Sequence, residues 1–379
     1  MSLTKVSYSM INGDVANVLD FGADPTGTTN SSAAFTNAFA TGKTVFAPKG
    51  LYLVNDVCVP GSQNLTGEGK DLTILRAGAN CTNAVVYANN PFSIVSDLTI
   101  DGNSGVYTAV GFLSDGASTE YANFNQTLNN LVVKNCSSYG IRTKGGNAFT
   151  LTNSYITNCV GTLLYLDSAF KHYISDNIFE LSASRGIDII DTSRPGSLAA
   201  SGGTISNNWF EDLTADFCIV SNAYNEFIKN NKVNTTVTTT AVINIQAGSD
   251  SVVIEQNNFQ NGPTYRIQID ATAQGTKVSW NRGVGFTNAF TTFGILDNGT
   301  STCLEGYEST KDSYALKGAN VNLVGKDITL LGASGSSDYT KGRLVIGTYY
   351  FWVDGSGKFR LKAGAPTTDT DGTIVGTQT

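Results

Sequence analysis

The chain has 379 residues, 41% hydrophobic and 15% charged, with a net charge of −7 and a pI near 4.8. That length allows one to three domains with a sizeable core, while the acidic balance argues against a nucleic-acid partner, which needs clustered Lys and Arg. No run approaches the 18 apolar residues of a membrane span, so no membrane partner is expected.

Residues 1–14, MSLTKVSYSMINGD, lack the apolar stretch of a secretory signal and form a short arm. The next stretch, NVLDFGADPTGTTNSSAAF (17–35), holds Asp20-Phe21-Gly22, the letters of the kinase metal-binding motif, and Gly42-Lys43-Thr44 follows. Neither is a nucleotide site. Nineteen residues before Asp20 cannot hold a Gly-rich loop, a strand lysine and a catalytic loop. A phosphate loop needs Gly where Asn37 stands, and VFAPKGLYLV after Thr44 alternates like a strand. SSAAFTNAFA (31–40) predicts a helix with Asn30 or Ser31 as N-cap and Phe35, Ala38 and Phe39 on one face. Such a helix would plug an open sheet end.

The middle of the chain repeats. ISDNIFE (174–180), ISNNWFE (205–211), IKNNKVN (228–234) and IEQNNFQ (254–260) share one pattern: an apolar residue, two polar residues, Asn, and an apolar residue two further on. LTNSYIT (151–157) and VSWNRGV (278–284) are weaker copies. The leading positions lie 23, 31, 23, 26 and 24 residues apart, which fits the coil of a parallel β-helix rather than a leucine-rich or helical repeat. The Asn of each copy is expected in a tight turn, in the left-handed region, bonding along the stack. The long interval places an insertion within 191–203, which would wall one side of a groove.

Each copy carries a second strand: GIRTK (140–144), LYLD (164–167), GIDIID (186–191), VINIQ (242–246) and RIQID (266–270). Alternation sends one outward column through Arg142, Tyr165, Asp188, Asn244 and Gln268, and another through Lys144, Asp167, Ile190, Gln246 and Asp270. DFCIVSN (216–222) fits either of two registers. From Tyr307 the repeat stops, and 341–379 reads as hairpin strands followed by a Gly-, Thr- and Asp-rich tail. The expected organisation is an arm (1–14), a β-helix with an N-terminal cap (15–306) and a small β module (307–379).

Six cysteines include two pairs spaced by 23, Cys58/Cys81 and Cys136/Cys159, which suggests reduced thiols stacked on neighbouring coils. None forms a C-x-x-C zinc pair and no H-E-x-x-H is present, so no metal or other cofactor is expected. The single histidine, His172, leaves little room for a His-dependent triad.

Residues 15–55 resemble the opening segment of the pectate-lyase-like β-helix superfamily, and bacteriophage tailspikes and tail-fibre depolymerases in particular. The matching elements are Val18-Leu19-Asp20-Phe21-Gly22-Ala23, the Asp24-Pro25-Thr26-Gly27 turn, the short helix, and Pro48-x-Gly50 before Tyr52. KFRLKAGAPTTDTDGTIVG near the end is also similar to the close of phage tail fibres. The resemblance implies an all-β, right-handed single-stranded parallel β-helix, a homotrimer in the virion tail, and binding of bacterial surface polysaccharide, often with cleavage. Many tailspikes carry a large N-terminal attachment domain where this chain has its short arm, so attachment through that arm to a tail or baseplate protein is expected.

Carboxylates suit glycoside hydrolysis, one as acid and one as base or nucleophile. The first candidate set is Asp167, Asp188 and Asp191. Asp167 and Asp188 are diagonal neighbours roughly 8 Å apart, inside the window of about 6.5–9.5 Å for an inverting pair. The resemblance adds that some tailspike endoglycosidases place two Asp three apart on one coil with a third acid on the next. The backup is Glu180 and Glu211, stacked about 4.8 Å apart, nearer a retaining pair. A plain solvated acidic surface is the alternative for both sets. Arg142, Lys144, Tyr165, Asn244 and Gln246 flank the first set and are the expected sugar-binding residues. A polysaccharide lyase, with Arg142 or Lys144 as base and aspartates holding Ca²⁺, and a non-catalytic adhesin are the competing functions.

Overall fold

The computed structural model describes residues 15–88, 90–104, 110–115, 123–192, 202–234, 241–260, 265–284, 293–305, 312–316, 344–346 and 348–376. The chain divides into two compact units, Met1–Ala319 and Asn320–Thr379.

In the first unit short strands stack in parallel, each on the strand one coil earlier. One face is an 11-stranded sheet that includes Ile141–Lys144, Leu164–Asp167, Ile187–Ile190, Cys218–Ser221 and Ile243–Ile245. The other two faces form a 21-stranded sheet, fused through Ile94–Asp101 and Thr127–Lys134, which serve both. This is a right-handed parallel β-helix with three strands per coil. Parallel pairing runs past residue 306, because Asp312–Leu316 still pairs with Phe293–Asp297.

Alternation fills the interior. Leu151, Ile174, Ile205, Ile228, Ile254 and Val278 pair in succession and are fully buried. Phe179 stacks on Phe210 with ring centroids 4.9 Å apart and planes at 5°, and Phe217 closes on Phe210 at 3.9 Å. Each such side chain contributes roughly 1.5–3 kcal/mol on burial, and like residues recur because each coil presents the same slot.

The repeated Asn forms a buried ladder. Asn177, Asn208, Asn231 and Asn257 each donate both backbone N–H and Nδ2 to Oδ1 of the next Asn at 2.9–3.0 Å, ending on Asn281. Each Nδ2 also donates to a carbonyl of the preceding coil, as Asn208 does to Ile174. In the weaker copy Ser154 opens the ladder, its N–H donating to Asn177 Oδ1 at 2.9 Å. The left-handed residue is not the ladder Asn but the one before it: Asn153, Asp176, Asn207, Asn230, Gln256 and Trp280 have φ between 53° and 61°. The chain turns there, and the ladder side chain points inward to bond the turns together.

The helix is Ser32–Phe39, burying Ala34, Phe35, Ala38 and Phe39. Phe35 packs edge-on to Tyr52 at 5.8 Å. Asn30 Oδ1 accepts from Ser32 N–H, and Ser31 Oγ is turned back to accept from Asp24 N–H. Asp24 accepts from the backbone and hydroxyls of Thr26 and Thr28 and from Thr29, which holds its carboxyl far below the usual carboxylate range. Val18–Phe21 is a 3-10 turn closed by Gly22 at φ 85°, and Phe21 packs against the core.

The six cysteines are free thiols. Cys136 and Cys159 stack on adjacent coils, and burial and mutual contact push the Cys136 thiol well above its ordinary pKa. The second spacing of 23 is coincidental, because Cys58 pairs with Tyr87 while Cys81 sits in a turn against Asp56.

The second unit holds a four-stranded antiparallel sheet, Leu344–Ile346, Tyr349–Val353, Phe359–Ala363 and Thr373–Ile374. Trp352 is buried, and Arg360 Nε bonds the buried Asp354.

Asn208→Ala would leave the Asn177 N–H without a partner in the interior and take one bond each from Asn177 Nδ2 and the Ile174 carbonyl. At about 1–3 kcal/mol for a buried unsatisfied group, the loss should be on the order of 3 kcal/mol. A thermal melt should show a clear drop in unfolding temperature, and an unchanged melt would refute the ladder's structural weight.

Candidate active site

The 11-stranded face carries the outward columns that the spacing predicts. Arg142 pairs with Tyr165, Tyr165 with Asp188, Ile219 with Asn244, and Asn244 with Gln268. Asp188 pairs with Ile219, so the ambiguous rung places Ile219 outward and Cys218 and Val220 inward.

Asp188 lies in a groove of 540 Å³ whose lining includes Tyr139, Thr162, Tyr165, Arg185 and Gln246. Asp188 is 6% exposed. Oδ2 accepts from Thr162 Oγ1 at 2.9 Å and meets Arg185 Nη1 at 3.4 Å, while Oδ1 has no partner. Burial raises the Asp188 pKa, with Arg185 and Thr162 opposing it. Desolvation wins because the pair with Arg185 is long and half open to solvent. A groove-lining carboxyl held toward its protonated form can donate a proton to a leaving group.

Tyr139 and Tyr165 form one wall, their rings 4.9 Å apart at 45°. The Arg142 guanidinium stacks on both, 5.6 and 5.8 Å from the centroids, with Nε buried and without an acceptor. Tyr139, Thr162 and Arg185 were not expected. They stand just before strands of the face rather than on them, each 23 residues after the last; that period was the available signal.

Asp167 and Asp191 are brought together, apart from the groove lining. Ser168 Oγ lies 3.0 Å from Asp167 Oδ1 and 2.8 Å from Asp191 Oδ1. Thr192 gives Asp167 a backbone and a hydroxyl bond at 3.1 and 2.7 Å, which leaves Asp167 3% exposed. Lys144 stands in register between Asp115 and Asp167. Of the expected sugar-binding residues, Tyr165 and Gln246 line the groove, whereas Arg142, Lys144 and Asn244 do not. Residues 193–201 of the insertion lie outside the described residues.

Glu180 and Glu211 pair in register on another face. Tyr155 OH donates to Glu180, and Trp209 Nε1 and Asn234 Nδ2 donate to Glu211 at 3.0 and 2.9 Å. His172 is inside the coil, its Nε2 3.1 Å from Glu226 Oε2, with both side chains fully buried. Gly203 lies between them in the stack, where a Cβ would come within 1.9 Å of Nε2. No reactant reaches this histidine.

Three family models match the chain: rhamnogalacturonase A/epimerase, pectate lyase-like, over residues 15–110; right handed beta helix region over 139–302; and capsule depolymerase over 314–377. No curated protein sequence matches. The mannuronan C-5 epimerase A-module of Azotobacter vinelandii is similar in structure, at 17% identity and TM-score 0.59, covering 84% of this chain and 100% of that one. The ORF18 protein of Geobacillus virus E2 is similar at 14% identity and TM-score 0.60, covering 96% and 76%. The enzymatically active domain of tailspike protein 2 of bacteriophage CBA120 is similar at 13% identity and TM-score 0.56, covering 93% and 58%. By its coil architecture and these matches, the chain is a right-handed parallel β-helix whose residues 15–110 match the pectate-lyase-like family model.

Proposed function

We propose that this protein is a tailspike-type depolymerase that binds bacterial surface polysaccharide and hydrolyses it at the Asp188 groove. The observation that carries the reading is Asp188, a carboxyl with raised pKa lining a groove walled by two tyrosines. The match of 314–377 to the capsule depolymerase model and the likeness to tailspikes support the substrate class and a place in the virion tail. A homotrimer attached through residues 1–14 to a tail or baseplate protein completes the reading.

Asp188 is the general acid. Asp167, whose backbone site is diagonal to that of Asp188 at roughly 8 Å, is the second carboxylate of an inverting pair, for which the carboxyl groups stand about 6.5–9.5 Å apart. Water replacing the Thr192 hydroxyl would bring Asp167 into play as base. Asp191 then acts through Ser168 as a positioning residue.

Incubation with a panel of capsule, exopolysaccharide and O-antigen polymers should yield shorter chains with new reducing ends. Unsaturated products absorbing near 235 nm would instead select a lyase, and tight binding without shortening an adhesin. Asp188→Asn should lower kcat about 100- to 10,000-fold. An Asp188→Asn variant with full activity would remove Asp188 from the mechanism.

The acid works while protonated, so kcat/KM should fall as pH rises through the raised Asp188 pKa. Arg185 lowers that pKa, so in Arg185→Gln the fall should move to higher pH; a fixed profile would contradict the coupling.

The same shift makes a stability statement. A folded pKa above the unfolded one gives stability that is present below the unfolded pKa and lost as pH rises through the folded pKa. Above its folded pKa the charged Asp188 therefore weakens the fold, and there Asp188→Asn should melt higher than wild type while losing activity. A lower melting temperature would mean that the carboxylate is structural.

A further inference from the structure

We propose that the groove takes a sugar bearing an anionic group, carboxylate or phosphate, which docks on Arg185 with Arg142 behind it. The proposal rests on the depolymerase reading of the Asp188 groove and adds its substrate class.

Acidic side chains outnumber basic ones in this chain, 31 to 24, yet Asp188 is the only carboxyl lining the groove among the described residues. Two guanidinium groups stand around it. Arg185 lines the groove with its side chain 44% exposed, and its one contact with Asp188, at 3.4 Å, is not bidentate. The remaining N–H donors of its planar fork stay available, and that fork matches the oxygens of a carboxylate or phosphate. Arg142 stands one column position beyond Tyr165, stacked on the tyrosine wall, with Nε buried and no acceptor. A cation placed there offers charge rather than a salt bridge to its own chain.

The charges also fit the chemistry. With the proton on Asp188 the groove lining has one cation, Arg185, and no anion, and Arg142 stands behind the tyrosine wall. An anionic sugar beside Asp188 disfavours its ionised form, and the protonated acid in turn favours the anion, since linkage is reciprocal. Substrate binding and acid protonation therefore reinforce each other, as a neutral sugar could not arrange.

The test uses the full chain and the polymer found by the depolymerisation screen. That polymer is compared with its carboxyl-reduced form and with its dephosphorylated form, which separates the two anion sources. One treatment should lower kcat/KM about tenfold or more. Measured below the alkaline fall of both pH profiles, Arg185→Gln should remove most of the difference in kcat/KM between the native and the treated polymer, and Arg185→Lys should restore part of it. The proposal is overturned, with the depolymerase reading intact, if the cleaved polymer is neutral, if both treatments are without effect, or if Arg185→Gln slows native and treated polymers equally. If no polymer is cleaved, the depolymerase reading fails and the anion site is judged alone. Saturation-transfer NMR with glucuronate, glucose 6-phosphate and glucose should then show contact for an anionic sugar, lost in Arg185→Gln, and none for glucose. An equal response for all three, or none, overturns the site.

Discussion

Each strand of this protein is bonded to the strand one coil away, and that parallel pairing decides which side chains meet. Arg142, Tyr165 and Asp188 are 23 residues apart in sequence and successive neighbours in space. The pairing is uniform along the backbone, so it fixes register only with help from the interior. The Asn ladder supplies that help. A slip by one residue would turn every Asn outward and bring the isoleucine column with it. Groove, wall and cluster all inherit their geometry from this lock.

The groove departs from the rest of the coil in its electrostatics. Asp167, also buried, is well supplied with donors by Ser168 and Thr192. Asp188 keeps one oxygen bare, and its nearest cation stands at 3.4 Å. Burial without full compensation works against folding, and it is also what holds a proton on an acid to higher pH than on a free carboxyl. The tyrosine wall serves the same end, because it stacks the Arg142 cation beside the acid without giving it a carboxylate partner.

The coil was legible because its slots repeat: one Asn, one inward isoleucine and one alternating strand every 23 to 31 residues. The outward columns followed from the same count. The turns were less so. The ladder Asn and the left-handed residue are adjacent, often both Asn as in Asn207-Asn208, so spacing alone could not separate their roles. The groove was half legible. Asp188 and Tyr165 lie on strands, where alternation predicts direction, while Tyr139, Thr162 and Arg185 lie just before them, where no alternation applies. Diagonal placement on adjacent coils also joined Asp167 and Asp188 into one candidate set, although Thr192 covers only the first.

The His172–Glu226 contact has a meaning for how such a chain can change length. Most contacts here join neighbouring coils and would survive the gain or loss of a coil, since each slot accepts its like. His172 instead passes the bare Gly203 to reach Glu226 two coils on. Remove or duplicate the coil between them and two ionisable groups lose each other inside an apolar core, at a cost of several kcal/mol. The repeat is therefore free to grow or shrink elsewhere along its axis but is counted here, next to the coils that build the groove.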